Sequence, residues 1–494
     1  MPCERGGAMS AVPDVRISLR NGRPVRPDGA YVLYWMTAYR RLRHNYALQR
    51  AVEHARGLNR PLLVLEDLRS GRRWDTVRHH RFILDGMAEK AARLVRLNIL
   101  YYPYVEPRGG AADGLLEALA ERACVVVADE YPLDVWPGLV RAAAGRLPVR
   151  LEQVDSCGLL PLLAADRTFK TAFSFRAFLQ NRLRPHLDAF PAGDPLARLR
   201  LPRAAVPAAV RRRWPAASAR LLAGRDVEAL DLDRSVEAAP IQGGEKAAGR
   251  VLARFLDDRL GRYADRARHP DDRATSELSP YLHHGHISAH EVFAAVTDRE
   301  GWSPQAMRAG RRGSKPWWGA SPGAEAFLDE LVTWRELGYN RCAREAEDAY
   351  ASLPAWARVT LAQHARDRRP YRYGARDLES AATHDALWNA AQRQLVRDGW
   401  MHNTLRMLWG KKVLEWSAAP EESLEIMIHF NNKYSLDGRD PNSWSGVLWC
   451  LGLYDRPWGP ERPVFGKVRY MSSAATARKV RLRAYLQRYA PERA

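Results

Sequence analysis

The feature that most constrains the fold is an alternation, over residues 30–156, of short apolar runs with stretches of helical period. The runs are AYVLYWM (30–36), PLLVLEDL (61–68), NILYYPYV (98–105), ACVVVADEY (123–131) and PVRLEQVDS (148–156). Continuous apolar strands separated by helices predict a doubly wound parallel sheet covered on both faces. The usual nucleotide fingerprints are absent, since no GxGxxG follows the first run and no GxxxxGK[ST] occurs anywhere.

The second half of the chain shows almost only helical spacing. It is separated from the first by a stretch rich in Arg, Ala and Pro, which is typical of a linker. The predicted fold class is therefore α/β plus all-α. The predicted divisions are an N-terminal extension (1–28), an α/β domain (29–165), an interdomain linker (166–235) and a helical domain (236–494). A basic, tryptophan-containing insertion at 301–323 is predicted to be a surface loop.

Composition narrows the setting and the partner. The chain has 494 residues and a formal net charge of +20, which favours a polyanionic partner such as nucleic acid. Its five cysteines are scattered, with no CxxC pair, which predicts neither a disulfide framework nor structural zinc. No apolar run approaches the length of a membrane span, and the N-terminus has no apolar signal region. We therefore predict a cytoplasmic protein that does not cross a membrane.

Three tryptophans cluster in two neighbouring predicted helices. Trp409 and Trp416 are seven residues apart, hence two turns along nearly one helix face, and Trp388 belongs to the preceding helix. Aromatic residues at this spacing are usually core packing. The alternative is that these oxidisable indoles pass an electron in steps. Spacing alone leaves both readings open.

The segment YSLDGRDPNSWSG (434–446) predicts a turn with charged groups around a glycine. It is either an ordinary loop between helices or a polar clamp for a heterocycle with an imide edge. In the second case Asp437 could pair with Arg406, which would keep the carboxylate charged.

The segment TSELSPYLHHGHIS (275–288) offers hydroxyl groups at Thr275, Ser276 and Ser279 just before a helix starts. Such a turn either holds a phosphate or simply caps the helix. Its histidines have no carboxylate or cysteine at ligand spacing, so no metal is predicted. In DELVTWREL (329–337), Glu330 and Trp334 are four residues apart and so lie on one helix face. The carboxylate could hydrogen-bond the edge of a base while the indole packs on the face of that base. The alternative is a solvated Glu beside a core Trp.

Together these motifs resemble one family. VLYWMTAYRRLRHNYALQRAV resembles the opening of the photolyase/cryptochrome α/β domain. ELVTWREL, THDALWNAAQRQLVRDGWMHNTLRMLWGKKVLEW, YSLDGRDPNSWSGVLW and ERPVFGKVRYMS resemble, in order, the signature of class II cyclobutane pyrimidine dimer photolyases. The resemblance spans most of residues 29–160 and 232–473. It departs from the family pattern at Tyr281, His284 and Arg341 and in the insertion.

The resemblance implies an FAD-binding helical domain and light-dependent repair of UV-damaged duplex DNA, independent of sequence, by a monomer. Cofactor contacts are implied for Tyr263, Thr275, Ser276, Leu278, Ser279, Arg406, Asp437 and Arg439. Electron transfer is implied for Trp409, Trp388 and Trp416 as the proximal, middle and distal members of a chain that runs between the flavin and the protein surface. Catalytic roles are implied for Glu330 and for Asn431, which would face flavin N5. Contacts to the lesion and DNA are implied for Trp334, Met407, Trp449, Arg456, Trp458 and Arg469.

Two other functions stay open at this point. A cryptochrome-like photoreceptor shares the fold and the flavin, and a non-enzymatic DNA-binding protein would need no flavin. The resemblance allows a deazaflavin antenna chromophore in the α/β domain, and it equally allows none.

Overall fold

A computed structural model describes residues 11–307, 312–345 and 349–491. The first ten residues of the predicted N-terminal extension, residues 308–311 of the predicted surface loop and the last three residues of the chain lie outside the described residues. In the described part, no helix is both long and apolar enough to cross a membrane. The same part contains no group of three or more His, Cys, Asp or Glu side chains arranged to hold a metal ion.

A six-stranded sheet organises the N-terminal half, in the order β1-β6-β5-β2-β3-β4. The strands are β1 (Ile17–Leu19), β2 (Tyr31–Trp35), β3 (Leu62–Leu68), β4 (Leu100–Val105), β5 (Ala123–Asp129) and β6 (Leu151–Val154). β2 to β6 pair in parallel, whereas β1 is antiparallel to β6 at one edge. The five predicted strands are all present. The edge strand β1, which lies before residue 28, was not predicted.

Helices cover both faces of the sheet, as the apolar strands require. They are α1 (Tyr46–Leu58), α2 (Val77–Arg96), α3 (Leu115–Ala120) and α4 (Trp136–Arg146). The Asn45 side chain caps α1 by accepting from two backbone N–H groups, and Thr76 caps α2 in the same way through one. Every residue of β2, β3 and β5 is buried. The predicted doubly wound sheet is therefore confirmed.

The segment predicted as a linker contains three helices, α5 (Ala172–Arg182), α6 (Ala208–Arg213) and α7 (Ala219–Leu222). Of these, α5 belongs to the packing of the helical half, because Phe175 and Leu179 are fully buried in its core. Arg176 of the same helix forms two hydrogen bonds with the Asp329 carboxylate, at 2.8 and 2.9 Å. The predicted boundaries at residues 165 and 235 stay a prediction.

The rest of the described chain is helical, as predicted. Its α-helices are α8 (Glu245–Arg254), α9 (Tyr263–Arg266), α10 (Ser279–His283), α11 (Ala289–Arg299), α12 (Pro322–Leu328), α13 (Arg335–Cys342), α14 (Ala355–Gln363), α15 (Ala375–Glu379), α16 (Ala386–Asp398), α17 (Asn403–Trp416), α18 (Pro420–Tyr434), α19 (Pro441–Trp449), α20 (Ser473–Lys479) and α21 (Arg483–Arg488). Two π-helical turns, Phe255–Arg259 and Asp329–Trp334, interrupt this pattern. Short 3-10 helices are Asp14–Arg16, Leu162–Ala164, Arg184–His186, Val227–Ala229, Leu260–Arg262, Pro270–Asp272 and Pro304–Ala306.

The two halves are joined by buried polar contacts rather than by the linker alone. The Arg78 guanidinium, on α2, donates to the backbone carbonyl of Tyr434 at 2.8 Å. The Glu336 carboxylate, on α13, accepts from the backbone N–H groups of Leu159 and Leu160 at 2.7 and 3.1 Å. Buried polar groups are costly unless they are paired, so these contacts fix the helical half against the sheet.

Candidate functional site

An ion pair between α17 and the turn after α18 forms the centre of the site. One guanidinium nitrogen of Arg406 lies 2.9 and 2.8 Å from the two carboxylate oxygens of Asp437. Asp437 is buried, which by itself raises its pKa. The charge of Arg406 and the hydroxyl groups of Ser435 and Ser279 outweigh the burial and hold the pKa of Asp437 below its usual value. The pairing that the sequence suggested is present, and the carboxylate is charged at neutral pH.

Asn431 lies one turn before the end of α18, and its carboxamide orientation is fixed by two acceptors. Its Nδ2 donates to Ser443 Oγ at 2.7 Å and to Asn432 Oδ1 at 3.3 Å. Asn432 Oδ1 also accepts from the backbone N–H of Arg439 at 3.0 Å. The Arg439 guanidinium reaches across to the α/β half, where it lies 3.3 Å from Asp75 Oδ1. Both the amide and the turn are therefore held in place before any ligand binds.

The hydroxyl-rich turn lies directly before α10. Ser279 is exposed and Thr275 and Ser276 are half-buried, so their polar groups can reach a ligand. Leu278 is buried and lies in the core of the helical half. Its side chain therefore packs, and only its backbone could meet a cofactor. Tyr263 begins α9 and packs edge-on against Phe327, with ring centroids 5.5 Å apart.

Glu330 occupies the π-helical turn Asp329–Trp334. Glu330 is an exposed residue. Nearby protein atoms nevertheless remove water from around its carboxyl group, and this desolvation, together with the charge of Asp329, raises its pKa to about 7. Burial raises the pKa of Tyr263, and the charge of Glu330 raises it further. π-helical turns are frequent at functional sites. Because Glu330 and Trp334 both lie in this turn, their relative placement differs from the one that a regular α-helix would give.

Of the residues predicted to contact the lesion, two stack directly and a third is linked to them through Cys450. The indoles of Trp334 and Trp449 stack with ring centroids 4.7 Å apart and an interplanar angle of 20°. Cys450 follows Trp449 directly, and its Sγ lies 3.8 Å from Sδ of Met407. Met407 is the neighbour of Arg406 on α17, so the lesion residues adjoin the ion pair.

The three clustered tryptophans are in sequential contact. The rings of Trp409 and Trp388 are parallel within 4°, with centroids 6.5 Å apart. Trp388 and Trp416 lie 5.5 Å apart at an angle of 72°. The indole N–H of Trp388 donates to the backbone carbonyl of Trp409, and that of Trp409 donates to Gln392 Oε1. The order along the contacts is thus Trp409, Trp388, Trp416, as expected for a relay, and all three rings are also buried in the core.

The outer end of this series differs from the expectation that Trp416 meets the surface. Only 1% of Trp416 is exposed. Tyr373 and His384 cover it, with ring centroids 5.3 and 5.5 Å away. Tyr371, which is half exposed, stacks on His384 at 3.8 Å. The covering segment is distant in sequence from Trp416, so the spacing of the tryptophans held no signal for it.

Arg456, Trp458 and Arg469 are exposed together on the surface that follows α19. Both guanidinium groups lie close to the Trp458 ring, with their central carbons 4.9 and 5.4 Å from its centroid. The Trp458 indole N–H donates to Asp455 at 2.9 Å. An aromatic ring flanked by two cations suits contact with both bases and phosphates.

The basic insertion at 301–323 is not only a surface loop, and that prediction is wrong for its tryptophans. Trp317 and Trp318 are fully buried in the core of the helical half. Their backbone N–H groups and that of Gly319 donate to the Glu325 carboxylate on α12. The hydrogen bonds to this carboxylate hold the two tryptophans in the core. The basic, glycine-rich composition of the insertion did not indicate this burial.

A recess between the two halves lies at the carboxyl ends of β2 and β3, and its lining includes His79, Tyr131, His284 and Arg439. Ligands commonly bind at this edge of doubly wound sheets. The histidines at 283–286 belong to this region and to the core, not to the group around Trp334 and Met407. The deazaflavin antenna therefore stays a prediction.

Sequence reasoning found the charged and aromatic members of the site but missed the side chains that position them. Asn431 and Arg439 are held by Ser443, Asn432 and Asp75. Ser443 lies in the quoted segment 434–446, but its residue type did not mark it out there. Asn432 could have been noticed from the pair of asparagines before the turn. The contact with Asp75 spans 364 residues and leaves no local signal.

Several known proteins are similar to this chain in sequence. A deoxyribodipyrimidine photo-lyase of Methanothermobacter thermautotrophicus is 35% identical over 480 residues, which covers 95% of this chain and 97% of the relative. One from Oryza sativa subsp. japonica is also 35% identical, over 93% of this chain and 87% of the relative. Cryptochrome-2 of Arabidopsis thaliana is 26% identical over 44% of this chain and 37% of its own length. No protein-family model matches the chain.

Among solved structures, a bacterial class III photolyase from Agrobacterium tumefaciens superposes with a TM-score of 0.67 at 18% identity, covering 93% of this chain and 86% of that one. This likeness shows the fold, which with the site defines a protein of the photolyase/cryptochrome superfamily. The chain belongs to the deoxyribodipyrimidine photo-lyase family, as its identity to full-length relatives shows. The predictions of a superfamily member and of a lyase enzyme are confirmed.

Proposed function

We propose that this protein repairs UV-damaged DNA in the light, as a class II cyclobutane pyrimidine dimer photolyase that uses FAD. The observation that carries the proposal is the arrangement on α17. Met407 contacts Cys450, the residue that follows Trp449, Arg406 pairs with Asp437, and Trp409 begins the tryptophan series. One helix thus joins the three functions that such an enzyme needs.

The side chains present fit a flavin. The charged Asp437–Arg406 pair and the fixed Asn431 carboxamide offer the donors and acceptors that an imide edge and a ring nitrogen require. The hydroxyl groups of the turn at 275–279 suit a phosphate or a ribityl chain. When bound and reduced, FAD would supply, on absorbing light, the electron that opens the cyclobutane ring and would recover it afterwards.

The protein's own contribution to repair is to extract and orient the lesion. A dimer must leave the duplex stack to reach a recessed site, which costs a few kcal/mol and less for a damaged base. Stacking on aromatic rings contributes about 1–3 kcal/mol per base, so Trp334 and Trp449 can offset this cost. Glu330 would hydrogen-bond a pyrimidine carbonyl, which a protonated carboxyl with a pKa of about 7 can do.

DNA contact outside the pocket would be independent of sequence. The net charge of +20 supplies attraction to phosphates, and phosphate contacts carry no base information. Arg456, Trp458 and Arg469 lie on the surface next to α19 and would fill the space that the extracted bases leave.

The test is to purify the protein, record its absorption spectrum, reduce it and illuminate it with a short duplex that carries one defined cyclobutane dimer. We expect flavin absorption and restored thymines in light but not in the dark. A protein with flavin that restores no thymines would favour the cryptochrome-like alternative. A colourless protein that binds the duplex would favour the non-enzymatic alternative. The cytoplasmic location and the monomeric state stay predictions.

A further inference from the structure

The surface next to α19 that we propose faces DNA is held against the helical half by several contacts, and one of them is a histidine. His364 directly follows α14, and its two ring nitrogens face two different carboxylates. Nδ1 lies 2.6 Å from Asp367 Oδ2, and Nε2 lies 3.5 Å from Glu461 Oε2. Asp367 is three residues along the chain from His364, whereas Glu461 belongs to the segment between Arg456 and Arg469.

The contacts around His364 bind that segment closely to α14. Asp367 Oδ2 also accepts from the backbone N–H of Val464 at 2.9 Å, and Thr360 Oγ1 accepts from that of Lys467 at 3.0 Å. A Cβ atom at Gly466 would lie 2.1 Å from Thr360 Oγ1 and 2.7 Å from the His364 ring, so the close approach requires glycine here. The segment therefore lies directly on the histidine.

The same segment carries the exposed DNA-contact residues. The backbone N–H of Trp458 donates to the Lys467 carbonyl at 2.8 Å, which ties the aromatic ring to the part that α14 holds. The segment also contributes two buried residues, Val464 and Phe465, to the core of the helical half. What fixes its outer part is the set of polar contacts around His364.

The protonation state of His364 decides how many of these contacts are favourable. A neutral imidazole carries one N–H and can donate to only one of the two carboxylates, while its other nitrogen presents a lone pair to the second. A protonated ring donates to both and neutralises part of their charge. The charged groups that face the His364 ring are Asp367 and Glu461. Each has a positive charge nearby: Lys467 Nζ lies 3.3 Å from the other carboxylate oxygen of Glu461, and Arg369 interacts electrostatically with Asp367.

We propose that His364 is a positioning residue that, when protonated, bridges Asp367 and Glu461 and thereby holds the segment 456–469 in place to grip damaged DNA. The hydrogen bond with Asp367 is the main cause of the raised pKa of His364. Because that pKa is raised on folding, the stabilisation is fully present below the ordinary histidine value of about 6.5 and is lost as pH rises through the raised value. The part of the inference that concerns DNA rests on the proposed function.

The first experiment follows hydrogen exchange of peptides covering 456–469 in the full-length protein without DNA, from pH 6 to pH 9. Variants and wild type are compared at each pH, so that the intrinsic pH dependence of exchange cancels. We expect wild-type protection to exceed that of His364→Gln at low pH by roughly two- to fivefold, the size typical of partly exposed ion pairs, and to converge with it at high pH. We call this holding of the segment by protonated His364 the clamp. Equal protection at every pH would overturn it.

Two further variants guard against trivial explanations. Asp367→Asn keeps an acceptor for the Val464 N–H but removes the charge that favours protonation, so it should behave like His364→Gln. His54→Gln removes a histidine that lies 2.9 Å from Glu152 in the α/β half, and it should behave like wild type. Loss of protection in His54→Gln as well would mean that the effect is global, which would also overturn the clamp.

The second experiment measures the affinity for duplex with one cyclobutane dimer over the same pH range. Wild-type affinity should fall by roughly two- to fivefold as pH rises through the range in which His364 loses its proton. His364→Gln should bind at every pH with the weaker affinity that the wild type shows at high pH. A pH-dependent segment with pH-independent affinity would overturn the positioning role. If wild type bound dimer and intact duplex equally at all pH values, the proposed function would fail, while the exchange data would still decide for or against the clamp.

Discussion

The indole rings of Trp334 and Trp449 stack on one another, 4.7 Å apart and 20° from parallel, although they come from different elements, a π-helical turn and the end of α19. Both residues are partly buried, so part of each side chain is open to solvent. Two such rings form a preformed aromatic wall, because little side-chain freedom remains to be lost when a base packs on it.

Replacing Trp449 by Ala should weaken binding to dimer-containing duplex by roughly 1–3 kcal/mol, since one stacking surface is lost. Binding to undamaged duplex should change far less, because it depends mainly on phosphate contacts. Titration of both duplexes at one fixed salt concentration measures the difference. Trp449→Phe is the control, as it keeps an aromatic face. Equal weakening on both duplexes would assign Trp449 to the fold rather than to the lesion.

Replacing Trp388 by Phe should block light-driven reduction of the bound cofactor by an external thiol. Trp388 contacts both Trp409 and Trp416, so its loss interrupts the series in the middle. A pre-reduced sample should still repair dimers, because the series is not needed for the repair itself. Trp317→Phe is a matched control, since Trp317 is equally buried and also packs against another indole. Normal photoreduction in Trp388→Phe would return the three tryptophans to core packing alone.

Replacing Asp437 by Asn should lower cofactor affinity and destabilise the protein by about 1–3 kcal/mol, because Arg406 loses its charged partner in a largely buried setting. The pKa of Asp437 is lowered on folding, so its contribution is present above the ordinary Asp value and is lost as pH falls through the lowered one. Unfolding of the wild type and the variant from pH 2 to pH 7 should therefore converge at the acid end. A constant difference across that range would contradict this account.

Glu330 should make repair sensitive to pH near neutrality. Its pKa is raised to about 7, so the protonated donor form predominates below that pH and is lost above it. If only this form supports repair, the yield per absorbed photon should fall by about tenfold per pH unit well above the pKa. Glu330→Gln keeps a donor at every pH, and its yield should be flat from pH 6 to pH 9. A wild-type yield that stays flat over the same range would show that the ionised carboxylate serves equally well.

The sequence predicted those parts of the molecule whose signal is local. Strands β2 to β6 were found because they are continuous apolar runs, and Arg406 with Asp437 because a charged turn follows a helix. Strand β1 was missed because three half-exposed residues at a sheet edge have no distinctive pattern. Edge strands take their structure from the neighbour they pair with, here β6.

Contacts between distant segments account for the rest. Trp416 was expected at the surface and is covered by Tyr373 and His384. His364 lies in no motif, and its role appears only when the segment holding Glu461 folds back onto it. These are long-range relationships that hydrophobic period and turn chemistry do not encode.

Lesion choice is the sharpest remaining prediction. Both cyclobutane dimers and (6-4) photoproducts are repaired in this superfamily, and reversal of the second needs a proton donor such as histidine in the pocket. The predicted lesion contacts are Glu330, Trp334, Met407 and Trp449, and no histidine is among them. His283 instead faces Asp440 at 3.5 Å, and His284 and His286 are buried against Phe82.

We therefore expect repair of cyclobutane dimers and none of (6-4) photoproducts. The burial of His284 and His286 lowers their pKa well below the ordinary value, so they are neutral at physiological pH and are poor acids as well as distant ones. The measurement illuminates reduced protein with each defined lesion in the same short duplex and counts restored thymines. Glu330→Gln serves as a further control, because it should alter dimer repair without creating activity on the other lesion. Efficient (6-4) reversal with the dimer left intact would reject this assignment and would require a proton donor in the pocket other than these histidines.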